Sequence, residues 1–360
     1  MSNKLKIFVD AHVFDGVHQG TVTFISNLYS VVIKEDKYIV YVASCNKEKA
    51  IKLLKSNNFI HIKYKSNSKY IRLLFEIPLI LKKYKINYAH FQYIAPIFKP
   101  CKYIITIHDL LFLDYPSLFP IKYRFKNYFL FYISSLRADI VTTVSSYSKN
   151  AILKNFKLIK KNIHVIPNII DINFIDDEIV YDLSESKYLL YVSRIEPRKN
   201  HILLLNAWLD LELYNHSIKL VFVGHKTIND IKLFEKLSNL NNQQKQHFIW
   251  FDNVNSKQLS WLYKNSSLFV FPSLAEGFGI PPLEASLYGA KVLVSNTTAM
   301  SDYFFFKHMF DPYDYEDFKT KLQFLLSNNY NIDIINNQII SIYGKENIIN
   351  KFNKIFDFTS

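Results

Sequence analysis

Short β-rich runs alternate with helical stretches along almost the whole chain, and this rhythm constrains the fold more than any other feature. In the first half it places strands at Leu5–Val9, Tyr38–Val42, Tyr88–Gln92, Tyr103–His108, Ile140–Thr143 and His164–Ile166. Helical spacing lies between them, notably at Thr21–Val32, Lys69–Tyr84, Ile121–Arg137 and Ser145–Phe156. The second half repeats the alternation, with strands expected at Tyr188–Val192, Leu220–Val223, Phe248–Phe251, Leu268–Phe271 and Val292–Ser295. Strands separated by helices pair in parallel, because each crossover returns the chain to the same end of the sheet. The expected class is α/β, with doubly wound parallel sheets.

At 360 residues the chain exceeds the roughly 250–300 at which single cores stop growing. The stretch Pro167–Ser186 carries six acidic residues and no clear period, so it reads as a linker. Two domains are therefore expected, at residues 1–168 and 169–340. Residues 341–360 form a C-terminal helix expected to pack back on the N-terminal domain. In open sheets ligands bind beyond the carboxyl ends of the strands, so loops after strands are the places to search, facing a cleft between the domains.

Composition excludes several alternatives. With 49% apolar and 16% aromatic residues the chain is not disordered. Cys45 and Cys101 lie far apart and form no CxxC, which suits a reducing compartment and no structural zinc. The N-terminal MSNKLKIFVDAHVF reads as a strand ending near Asp10, not as a secretory leader. No apolar run reaches about 18 residues, so a cytoplasmic protein, at most peripheral to a membrane, is expected. The charge of +13 is uneven: residues 1–167 hold 26 basic and 9 acidic residues, and residues 168–360 hold 18 and 22. Lysine-favouring codon usage would act on both halves alike. The basic half therefore points to an anionic partner such as a membrane surface, lipid phosphate or nucleic acid.

Seven glycines occur, roughly 2% against an average near 7%, so each one marks a backbone position few other residues fit. Gly16 and Gly20 follow the first strand, and Gly277, Gly279 and Gly289 crowd into LFVFPSLAEGFGIPPLEASLYGA (268–290). There a buried strand, a glycine loop and a helix opened by Pro281 and Pro282 make a pocket suited to an anion at the positive end of the helix dipole. Glu276 and Glu284 bracket it. Two carboxylates beside a phosphate make sense when they accept hydrogen bonds from hydroxyls, so a ligand with both a diphosphate and sugar hydroxyls fits. A dinucleotide fingerprint fails, since Pro282 stands at its third glycine and Ser295-Asn296 where a ribose-binding acid belongs.

After YLLYV, the loop SRIEPRKN (193–200) offers Arg194, Arg198 and Lys199 to balance a diphosphate. His108-Asp109 follows the strand YIITI, where a histidine contacts a sugar hydroxyl, carries a proton or simply holds its loop; His90 in YAHFQY is a weaker candidate. The remaining histidines, Asp176-Asp177 and Asp311-x-x-Asp314 lack metal-ligand spacing, and no metal is expected.

Together these residues resemble glycosyltransferase family 4, the retaining nucleotide-sugar enzymes of the GT-B fold. The resemblance runs through DAHVFDGVHQGTVTFISNLY (10–29), TIHDLLFLDYPSLFP (106–120), VSSYSKN (144–150), VIPNII (165–170), YVSRIEPRKN (191–200) and FPSLAEGFGIPPLEASLYGAKVLVSN (271–296). It implies that Arg194 and Lys199 stabilise the donor diphosphate and that Glu276 holds donor-sugar hydroxyls. Glu284 then lies near the ribose, and the backbone of Gly277, Phe278, Gly279 and Ile280 meets the phosphates. Gly20 and Thr21 match the loop that closes on the donor, and His108 the histidine near the transferred sugar. Where the family often has a second glycine and an arginine in the first loop, this chain has Val22 and Thr23; Ser193 and Ser301-Asp302 also depart from the pattern.

The resemblance implies metal-independent, retaining transfer of a hexose, with mannose from GDP-mannose as the guess and no cofactor. The acceptor implied is a saccharide or a polyprenyl-diphosphate-linked saccharide in O-antigen or capsule synthesis. The segment FPIKYRFKNYFLFYISSLRAD (119–139), with Lys122, Arg124, Lys126 and Arg137 among aromatics, is a candidate for contact with the inner face of the cytoplasmic membrane. A GT-B sugar-nucleotide epimerase is the alternative. A basic nucleic-acid-binding protein is the less favoured one, because no RRM, KH or helix-turn-helix signature is present.

Overall fold

The computed structural model describes residues 4–16, 20–157, 162–170, 177–227, 230–328 and 330–357. Part of the first glycine loop (17–19) and most of the acidic linker (171–176, with Asp176) lie outside the described residues. The chain divides into two units, Met1–Ile169 with Tyr343–Ser360, and Ile170–Ile342.

The first unit is a seven-stranded parallel sheet ordered β3-β2-β1-β4-β5-β6-β7. Its strands are β1 Leu5–Asp10, β2 Tyr38–Ser44, β3 Ile60–Lys63, β4 Tyr88–Gln92, β5 Lys102–Thr106, β6 Ile140–Thr143 and β7 Ile163–Val165. Near-continuous apolar strands suit a sheet covered by helices on both faces. Phe8, Ala89, Phe91, Ile105 and Val141 accordingly share one buried cluster. Strand order reverses between β1 and β4.

Two elements here escape the periodicity. The helix Lys47–Leu54 is half charged residues and starts on local chemistry, the Asn46 side chain accepting from the Lys49 amide. β3 is a short edge strand with two exposed residues. The stretch expected as one helix, Lys69–Tyr84, is instead an α-turn Lys69–Ile71, a wide π-turn Arg72–Glu76 and an α-helix Ile77–Lys83. Pro78 explains the break: its nitrogen has no hydrogen to give Leu74, and the wider turn relieves the clash of its ring. β5 stops at Thr106, so His108 lies in the following loop.

The helix Lys345–Lys354 belongs to this first unit. Tyr38 donates its hydroxyl to Asn353 Oδ1 at 2.7 Å, Phe352 meets Tyr29 edge-on, and Phe356 meets Tyr88 at 4.8 Å.

The second unit carries a five-stranded parallel sheet ordered β10-β9-β8-β11-β12. Its strands are β8 Lys187–Val192, β9 Ile218–Val223, β10 Phe248–Phe251, β11 Leu268–Phe271 and β12 Val292–Val294. Tyr188, Leu189, Trp208, Leu262 and Phe269 are fully or almost fully buried at its centre. Each such side chain contributes about 1.5–3 kcal/mol through burial. Here order reverses between β8 and β11, so the loops after these two strands flank the crevice where doubly wound sheets bind ligands.

Candidate active site

The loop after β8 leads through Ser193–Glu196 into a short 3-10 turn, Pro197–Lys199. Its neighbour after β9 depends on Gly224: a Cβ there would run into the Ser193 carbonyl, and φ is +145°. The loop after β11 ends at Gly279, which has φ +88° and caps the helix Ile280–Leu287. Tyr303 donates its hydroxyl to the carbonyls of Phe278, at 2.5 Å, and Gly279, at 3.0 Å. Pro281 and Pro282 carry no amide hydrogen, so the helix offers fewer donors to an anion than an ordinary first turn.

A charge network joins the two loops. Lys199 Nζ donates to Glu276 Oε1, and Ser273 donates to the same oxygen at 2.9 Å. Arg198 donates to Glu276 Oε2 at 3.3 Å, to the Ala275 carbonyl at 2.8 Å and to Glu196 Oε1 at 2.7 Å. The Leu274 amide donates to the Arg198 carbonyl at 2.8 Å, and the Glu276 amide to Thr298 Oγ1 at 2.9 Å. Arg194 lies 4.0 Å from Glu196 with its side chain half exposed.

These environments set distinct protonation. Burial works to raise the Glu276 carboxyl, but Lys199 and Arg198 outweigh it and hold it at about 2. Burial lowers the Lys199 ammonium more than Glu276 restores it. Glu276 therefore stays ionised at neutral pH. Glu284, half-buried, is pushed up to about 7 by burial, and the Tyr263 hydroxyl 3.4 Å away only partly offsets this.

Arg194, Lys199, Glu276, Gly277, Phe278, Gly279, Ile280 and Glu284 thus all belong to the β8 and β11 loops or the helix after them. Sequence reasoning counted Arg198 only as one of three cations and gave Glu196 no role. The structure makes Arg198 the tie between loops and Glu196 its second anchor; the signal was present as an acid set among three cations in SRIEPRKN. Ser273, Thr298 and Tyr303 had none, since their partners depend on how separate loops fold together.

Three expected residues lie in the first unit. Gly20 opens the helix Gly20–Val32, and Thr21 lines a cavity at the carboxyl end of the sheet. His108 is buried among Phe24 and Tyr93, and burial lowers its pKa to about 3. Gln92 Oε1 can only accept, at 2.5 Å, so His108 Nε2 carries the proton and Nδ1 is an acceptor. The hydrogen-bond chain continues from Gln92 Nε2 to His90, which Tyr29 and Thr106 hold at 2.7 Å on its two ring nitrogens. His90 is therefore a structural group.

Two parallel-sheet Rossmann-like units with a charged crevice at the second sheet's reversal define the GT-B class. A glycosyltransferase from Rickettsia africae has this fold, with a TM-score of 0.72 at 19% identity over 98% of both chains. Residues 20–174 match "Glycosyltransferase Family 4" and residues 176–346 match "Glycosyl transferases group 1". The chain belongs to glycosyltransferase family 4.

The chain is 31% identical over 193 residues to the O-antigen chain mannosyltransferase RfbU of Salmonella typhimurium, covering 53% of this chain and 51% of that protein. It is 29% identical over 167 residues to the N-acetylgalactosamine-N,N'-diacetylbacillosaminyl-diphospho-undecaprenol 4-alpha-N-acetylgalactosaminyltransferase of Campylobacter jejuni, covering 45% and 44%. The matched stretch spans about half the length of these relatives.

Proposed function

We propose that the protein transfers a hexose, mannose from GDP-mannose being the specific candidate, to a saccharide or lipid-linked saccharide acceptor with retention at the anomeric carbon. The observation carrying this reading is the ion network that unites the β8 and β11 loops at the sheet's reversal. Arg194, the exposed cation, meets the leaving diphosphate, while Lys199 and the backbone from Gly277 to Ile280 add positive potential where charge develops. Glu276, held ionised, accepts from donor-sugar hydroxyls, and Glu284 from the ribose. His108, neutral and with no hydrogen bond to Nδ1 among the described residues, accepts from a hydroxyl of the transferred sugar. The bond from the anomeric carbon to phosphate oxygen breaks as the acceptor oxygen bonds on the same face, and the acceptor proton passes to the departing phosphate oxygen. The similarity to RfbU supports mannose and a surface polysaccharide.

The acceptor side suits a membrane surface. Among the described residues no helix is long and apolar enough to cross a membrane. The helix Ile121–Arg137 nevertheless turns Ile121, Phe125, Phe129 and Ile133 outward at four-residue spacing, with Phe125 62% and Phe129 57% exposed. Ile71, Phe75 and Leu79 make a second such stripe. Tyr128 and Tyr132 instead pack against Phe156, so the aromatic segment is divided between core and surface. Lysines and arginines rim both stripes, and each adds roughly 1 kcal/mol of attraction near an anionic surface.

The test is a panel of nucleotide sugars with a saccharide acceptor, following released nucleoside diphosphate and product anomeric configuration by NMR. Retained configuration, with turnover lost in Arg194→Ala and Glu276→Ala, is expected. Near-wild-type turnover in both variants removes the site assignment, and an epimerised donor formed without acceptor replaces the reading with an epimerase.

A further inference from the structure

A cavity of about 340 Å³ opens at the reversal point of the first sheet, within the roughly 300–1,000 Å³ of small-molecule sites. Asp10, the last residue of β1, and Gln92, the last of β4, lie in its wall with His12, Lys69, Arg72 and Tyr93.

Its charges are not balanced internally. The buried Asp10 accepts from the Tyr64 hydroxyl at 2.7 Å and the His12 amide at 3.3 Å, and His12 Nδ1 lies 3.0 Å away. All three contacts fall on Oδ1, and Oδ2 makes no hydrogen bond among the described residues. Lys69 and Arg72 make no ion pair among the described residues; Arg72 donates to the Asn67 carbonyl at 3.3 Å and lies over the Tyr64 ring. Although Lys69 is exposed as a residue, partial burial of its ammonium and then Lys126 lower it, while Asp10 works in the opposite direction.

The backbone is distorted at the same place. Arg72 and Leu73 line the cavity from the π-turn, a conformation frequent at functional sites. Tyr93 has φ +63°, a left-handed conformation costing an aromatic residue about 1–2 kcal/mol, and its ring stacks on Phe131 at 4.6 Å.

We propose that this cavity is a second ligand site, taking the anionic end of a saccharide. Lys69 and Arg72 bind its phosphate or carboxylate, and Asp10 Oδ2 accepts from hydroxyls of the adjoining sugar. This rests on the transfer reaction above and names the chemistry of the acceptor. A hexose 1-phosphate and a hexuronic acid share the needed anionic sugar, and they separate a phosphate-linked acceptor from a uronic-acid one.

The full chain is titrated calorimetrically with hexose 1-phosphate, hexuronate and uncharged methyl hexoside. At least one anionic sugar binds about tenfold or more tightly than the methyl hexoside, and both Lys69→Gln and Arg72→Gln abolish that preference. In transfer assays both variants raise the acceptor KM about 10–100-fold while donor KM and acceptor-free donor hydrolysis stay at wild-type values. Lys69→Gln guards against misfolding in Arg72→Gln, because Lys69 is exposed and its side chain makes no hydrogen bond among the described residues. Equal binding of charged and uncharged sugars, or a preference surviving in Lys69→Gln, overturns the site. A rise in donor KM instead of acceptor KM assigns the cavity to the donor and also overturns it. If no nucleotide sugar supports transfer, the calorimetric preference still decides the cavity, so the two readings fail separately.

Discussion

The reversal points of the two sheets share a topology but are furnished in opposite ways. Between β8 and β11 the charges are paired before any ligand arrives: Glu276 with Lys199 and Arg198, and Glu196 with Arg198. Between β1 and β4 one carboxylate shares a cavity with His12, Lys69 and Arg72, and the two strong bases make no ion pair among the described residues. A pre-paired network holds its groups in fixed orientation, which favours charge developing in a transition state without reorganisation. An unbalanced cluster gains most when an anion enters, which favours ground-state binding. On the two proposals above, one topology serves both transfer and acceptor binding.

The comparison breaks most sharply at Lys199. Lys199→Ala leaves Glu276 buried with half of its pairing, and turnover falls roughly 10³-fold with a lower unfolding temperature. Single-turnover kinetics and calorimetry check this; an unchanged kcat would mean the network is structural only. Arg198→Ala cuts the tie between loops and lowers kcat about 10–100-fold, with Arg198→Lys restoring part of it through the point charge but not the fork. A loss confined to KM would contradict a positioning role.

Glu284 sharpens the contrast by pH. Its folded pKa of about 7 lies above the ordinary 4.5, so the stability it lends is full below pH 4.5 and is lost as pH rises through 7. Glu284→Gln removes that loss, and the variant gains on wild type by up to about 3 kcal/mol between pH 5 and 8. Melting curves across that range report it, and parallel curves would show that burial does not perturb Glu284. Glu276 has the opposite sign, its contribution present above pH 4.5 and lost as pH falls through about 2. The smallest effect belongs to the surface: Phe125→Ser with Phe129→Ser weakens sedimentation with anionic vesicles about 3–10-fold, leaving turnover of a soluble acceptor unchanged. Wild-type binding indifferent to salt and lipid charge would rule out the membrane face.

Much of this was legible in the chain itself. Strand Phe248–Phe251 begins and ends where its apolar run does, and Gly279 with Pro281 and Pro282 announced the strand–loop–helix that carries Glu276 and Glu284. What failed to show was short or charged, as with β3 and the helix Lys47–Leu54. Two misreadings have local causes seen only in three dimensions: Pro78 splits an apparently continuous helix, and β5 ends early, leaving His108 to a loop where Gln92 orients it.

Periodicity, glycine placement and proline placement act over a few residues through sterics and the backbone's own hydrogen bonds. The sequence by itself therefore determined the α/β class with its parallel sheets and the strand–loop–helix around Gly279. Pairing acts through space. Only the tertiary structure decided that Arg198 ties Glu196 to Glu276, that Tyr303 holds the Gly279 loop, and that Lys69 and Arg72 share a cavity with Asp10. Arg198 and Glu276 are 78 residues apart and Tyr303 and Gly279 are 24 apart, and Coulomb and hydrogen-bond energies depend on distance in space, which no local pattern encodes.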